Sequence, residues 1–204
     1  MGKFVLDLAV RYKTAFGFVA YDAYQDYKAK NKSKQDGGNP FSSNGFYVKS
    51  GFCFSDMELS REGYLLKLGD PDFFARSQAS TLFVGPPMIS VSREKILSIT
   101  TPDRSSSEIV ENFGKKANDI KIKGVIVDMA EHHYPGNQVK QLRQFNDIEG
   151  YFDVCCQFLN DLGIYSLHIT SMDEITGVEG FEDTLSYSFS ARSAQPSEFY
   201  LTNK

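Results

Sequence analysis

Residues 184–192 read Thr-Leu-Ser-Tyr-Ser-Phe-Ser-Ala-Arg, and this stretch decides the fold class. Leu185, Tyr187, Phe189 and Ala191 alternate with Thr184, Ser186, Ser188, Ser190 and Arg192. A period of two places all the apolar side chains on one face of an extended chain and the polar ones on the other. One buried face and one wet face suit an antiparallel sheet.

Upstream, Tyr165, Leu167 and Ile169 alternate with Ser166, His168 and Thr170, a second strand. Between the two, Asp173, Glu174, Glu179, Glu182 and Asp183 read as a charged loop. Their spacing lacks the Asp-x-Asp-x-Asp-Gly order that wraps a calcium ion. Before that pair, Tyr151, Val154, Cys155, Phe158, Leu159 and Leu162 recur at helical steps over 151–162, and Gly163 follows as a left-handed cap. Val139, Leu142 and Phe145 suggest a short amphipathic turn after Pro135-Gly136. Residues 119–129 form a strong strand whose apolar parity changes at Gly124, from Ile120 and Ile122 to Val125 and Val127. Gly124 therefore reads as a bulge or a point of close approach. Further strands are expected over 109–113, from Met88 to about Thr101 after Gly85-Pro86-Pro87, and from Phe46 to Ser55.

At the other end the period is helical. Phe4, Leu8, Tyr12, Phe16, Val19, Ala23 and Tyr27 make one stripe over residues 3–29, with Gly17 as a weak point. Phe18, Tyr21 and Tyr24 add an aromatic edge. Such a helix is clamped on its own domain or docked to a neighbour. Residues 31–45, rich in Lys, Ser, Asn and Gly, read as a flexible linker. The expected fold is thus α+β and β-dominated. An antiparallel sheet or barrel is packed by one internal helix and preceded by a helical arm. The expected units are an arm over 1–30, a linker over 31–45 and a β-rich domain over 46–204, in which 46–87 could be an insertion.

Composition narrows the function. The 204 residues carry a net charge of -4, and the one dense basic run, Lys28 to Lys34, is short. Specific nucleic-acid binding needs a concentrated cationic face, so none is expected. No apolar run is long enough to span a bilayer, and Asp7, Arg11 and Lys13 interrupt the first apolar stretch, so neither membrane insertion nor a secretory leader is expected. The 17 Phe and 11 Tyr exceed what a plain surface uses and suit strands or interfaces. Cys53, Cys155 and Cys156 form no disulfide framework or zinc pattern, which fits synthesis in a reducing cytoplasm.

Chemistry is sparse. Asp128, Glu131, His132 and His133 gather two carboxylates and two imidazoles at a strand end. Adjacent histidines on extended chain point opposite ways, and the pattern is not His-Glu-x-x-His, so a solvated turn is the economical reading and a metal-dependent hydrolase the minor one. His168 on a polar strand face reads as a cross-strand hydrogen-bond partner. No nucleophile elbow or phosphate loop is present, and Gly177-x-x-Gly180 lacks both the lysine and the strand-to-helix setting. The expectation is a protein that is not an enzyme and that carries no cofactor or metal. The aromatic count and acidic loops also admit a carbohydrate or small-molecule binding β module.

The run Asp119-Ile-Lys-Ile-Lys-Gly-Val-Ile-Val-Asp128, with Tyr134-Pro135, Gln138-Val139 and Leu142, resembles baseplate-associated tail proteins of phages and related contractile devices. Phe152-Asp-Val154, Leu159-Asn-Asp-Leu-Gly-Ile164, Gly180 to Leu201, Lys95-Ile96, Thr100 and Ile109-Val110-Glu111 extend the likeness over the last half of the chain. The resemblance implies a tail-tube or hub-like structural subunit in a homo-oligomeric ring. Other tail or baseplate proteins are its partners, the virion tail its location and the host cytoplasm its place of synthesis. It implies no catalytic residues. The surface expected to dock partners is the helical stripe of Phe4, Leu8, Tyr12, Phe16, Val19, Tyr21, Tyr24 and Tyr27, aided by unpaired sheet margins.

Overall fold

The computed structural model describes residues 7–35, 47–49, 52–69, 82–101, 107–128 and 133–194. The chain opens with α1 (Leu8–Phe16) and α2 (Phe18–Gln35). Asp7 caps α1, its carboxylate accepting the N–H groups of Ala9 (3.0 Å) and Val10 (3.3 Å). The single helix expected over 3–29 is broken at Gly17, whose φ of 89° lies where L-residues are strained. The second helix runs on to Gln35, so the first part of the expected linker is helical. No helix among the described residues is long and apolar enough to cross a membrane.

The strands are β1 (Tyr47–Lys49), β2 (Phe52–Phe54), β3 (Met57–Arg61), β4 (Tyr64–Leu68), β5 (Leu82–Val84), β6 (Met88–Ser92), β7 (Lys95–Thr100), β8 (Ile109–Lys115) and β9 (Asp119–Asp128). After α3 (Gly136–Asn146) come β10 (Phe152–Cys155), α4 (Gln157–Asp161), β11 (Ser166–Val178) and β12 (Phe181–Ser193). All pairings are antiparallel, and the main sheet runs β1-β2-β6-β9-β12-β11-β10-β3-β4, with β5 beside β9. β2 and β3 stand near opposite ends of that order, yet only Ser55 and Asp56 separate them in sequence. Two residues span at most about 10 Å. The sheet must therefore curl until the segment from Phe52 to Arg61 pairs with β6 at its start and with β10 at its end. The result is a β-dominated antiparallel sheet, as the alternation at 184–192 predicts, curled into a barrel-like form.

The interior is filled by Met57, Leu59, Ile89, Ile120, Ile122, Ile126, Phe152, Val154, Leu167, Tyr187, Phe189 and Ala191. Leu142 and Phe145 of α3 and Leu159 of α4 join them. The packing helix is thus mainly α3, with Phe145 stacked on Phe152 at 5.0 Å, and not a helix over 151–162. There the local alternation wins: Phe152 and Val154 point inward, Asp153 and Cys155 outward, and Asp153 pairs with Ser60 and Ser166. Only Val154, Phe158 and Leu159 of the expected stripe contribute burial, while Tyr151, Cys155 and Leu162 are exposed. Gly163 does have a positive φ, 74°.

The acidic stretch is a hairpin, not a loop. Its turn, Glu179-Gly180, joins two strands of 13 residues each. Gly124 carries no bulge, since the β9–β12 register runs without a shift from Thr184↔Val127 to Arg192↔Asp119. It is a point of close approach, faced by the Tyr187 ring. The apparent parity change has another cause: beyond Gly124 the outer face of β9 is also buried, beneath the N-terminal helices.

Candidate interaction surface

The expected docking stripe turns inward. A second core holds Leu8, Ala9, Tyr12, Ala20, Ala23, Tyr24 and Tyr27 against Phe54, Met88, Val125 and Val127. Tyr12 is fully enclosed, stacked on Tyr24 at 5.1 Å and edge-on to Phe54 at 5.2 Å. Its hydroxyl donates to the Pro86 carbonyl (2.6 Å), and that of Tyr27 donates to Asp56 (2.9 Å). Burial pushes the Tyr12 phenol well above its usual range and Tyr24 up to about 12.

Arg11 fastens α1 to β12. Its guanidinium donates to both carboxylate oxygens of Asp183 and to the Thr184 hydroxyl, with all three residues buried, and it lies 4.5 Å from the Phe181 ring centroid. A buried, hydrogen-bonded pair of this kind makes the position of α1 specific. Of the eight expected docking residues, Leu8, Tyr12, Tyr24 and Tyr27 are buried in their own domain, and Phe16 and Tyr21 are half-buried. Val19 is exposed, and Phe4 lies outside the described residues. Four of them therefore offer no surface to a partner, because the outer face of β9 claims them first.

The helices still expose Val10, Phe18 and Val19, and a second exposed apolar surface lies elsewhere. Among the described residues β7 and β8 pair only with each other, as a two-stranded ribbon between β6 and β9 in sequence. The expected strand from Met88 to Thr101 is thus two strands in two sheets, parted at Arg93-Glu94. The root of the ribbon is tied by the Lys116–Glu94 ion pair (2.7 Å) and by Arg93 Nε donating to the Lys116 carbonyl (2.9 Å). Beyond it, Ile96, Leu97, Ile99, Ile109, Val110 and Phe113 are between 43% and 66% exposed. Ile99 faces Val110 across the ladder with Leu97 on the same side, while Ile96 and Ile109 occupy the other face and Phe113 sits at a bulge. Both faces of the ribbon thus carry exposed apolar side chains, those of Ile96 and Ile109 sharing theirs with Ser98, Thr100 and Glu111.

The sequence carries that signal: apolar residues stand side by side at 96–97 and 109–110, where a strand with one wet face would alternate. In the sequence they read as strands and as part of the resemblance, and Arg11 reads only as a charge that interrupts an apolar stretch.

Of the suggested metal cluster, Glu131 and His132 lie outside the described residues. Asp128 ends β9, and His133 is exposed. Among the described residues no group of three or more His, Cys, Asp or Glu is placed to hold a metal ion. His168 is exposed and meets the Tyr151 ring edge-on at 5.9 Å. No disulfide joins the three cysteines, of which Cys53 and Cys156 are buried and Cys155 is exposed.

A comparison with curated proteins gives no match. One family's sequence profile matches residues 82–204, which take in the ribbon, β9, α3 and the β11–β12 hairpin but not the N-terminal helices. On that match, 123 of 204 residues, the chain belongs to the family described as a domain of unknown function, DUF6046.

Proposed function

We propose that this protein is a structural subunit that acts by docking to other proteins in a ring or layered assembly, of the tail-tube or baseplate kind that the resemblance implies. The β7–β8 ribbon carries the reading. A two-stranded hairpin is marginally stable in water. This one forms a separate two-stranded sheet among the described residues, with exposed apolar side chains on both faces. A ribbon apolar on one face could lie against its own barrel, but one apolar on both needs a second wall, which a neighbouring subunit supplies. The function is then docking without catalysis, and the virion tail is the setting it fits.

The test is analytical ultracentrifugation of the full chain beside the Ile99→Lys/Val110→Lys variant, over a wide concentration range. The wild type associates, and the variant stays a folded monomer with the same far-ultraviolet circular dichroism. A wild type that remains monomeric throughout, and fails to enter particles containing its partners, overturns the reading.

A further inference from the structure

We draw no further inference here: the strongest candidate, the exposed apolar surface patch of Val10, Phe18 and Val19 on the N-terminal helices, carries nothing because nothing in the structure shows what covers it.

Discussion

Gly124→Ala tests whether the barrel interior is packed around a missing side chain. Gly124 lies directly opposite Tyr187 in the β9–β12 ladder. A Cβ built there would stand 2.4 Å from the Tyr187 hydroxyl oxygen, 2.6 Å from Cζ and 2.8 Å from Cε1. These atoms belong to one rigid ring that is 1% exposed, so the ring has no open space to swing into. Overpacking of a tight core costs about 1–3 kcal/mol, and three close atoms on one ring argue for the upper end, about 3 kcal/mol. For a chain of this size that lowers Tm by roughly 6–12 °C. The Tyr187 hydroxyl is buried without a hydrogen-bond partner among the described residues, and burial alone pushes its phenol far above the usual range. Tyr187→Phe therefore removes the nearest clashing atom together with an unsatisfied polar group, and alone it is neutral or stabilising by about 1 kcal/mol. In the double variant the carbons still crowd the new methyl, so relief is partial, with a coupling of about 1–2 kcal/mol. The assay is urea denaturation followed by circular dichroism, which suits a chain without Trp. Strict additivity of the two substitutions, or a Gly124→Ala cost below about 0.5 kcal/mol, the range of an ordinary surface change, refutes the reasoning.

Asp183→Ala strips the buried Arg11 of its carboxylate and destabilises by about 3–5 kcal/mol, whereas Arg11→Met with Asp183→Leu loses far less, as urea midpoints will show. The Tyr24 phenol is raised from 10.0 to about 12, by burial first and by Asp7 and Asp56 next. Its contribution to stability is complete below pH 10 and disappears as pH rises through 12, so phenolate absorbance and loss of structure should rise together in that window. The Asp173 carboxyl is held below its usual 3.8 by the hydroxyls of Ser171 and then Ser190. That contribution is present above 3.8 and lost as pH falls through the lower folded value. Ser171→Ala moves the Asp173 midpoint upward in a carboxyl-carbon NMR titration.

Strands whose partners cover one face only were legible. β12 alternates without interruption because its outer face stays wet along most of its length, and the pattern survives translation into structure. β9 was harder, because the helices cover half of its outer face and turn alternation into a continuous apolar run. Residues 151–162 misled for a different reason. Val154, Phe158 and Leu159 satisfy a helical step, but the same segment contains an alternating Phe152-Asp153-Val154-Cys155, and the free margins of β3 and β11 select it. Local sequence held both answers, and long-range pairing chose. Nothing near Arg11 in sequence announces Asp183, 172 positions away.

The apolar surplus was legible in amount but not in address. Tyr12, Tyr24 and Tyr27 look like docking residues because a lone helix cannot bury them, yet once β9 presents Val125 and Val127 outward, the helix has its wall within the same chain. The ribbon has no such option. Its exposed apolar side chains lie on both faces, and a barrel wall can cover only one of them. On the proposed reading a neighbouring subunit supplies the second wall. An assembly built this way keeps its barrel and its N-terminal helices intact whether or not partners are present. On the proposed reading its capacity to associate is concentrated in β7 and β8, whose residues contribute nothing to the buried core clusters, so polar substitutions there leave the core untouched.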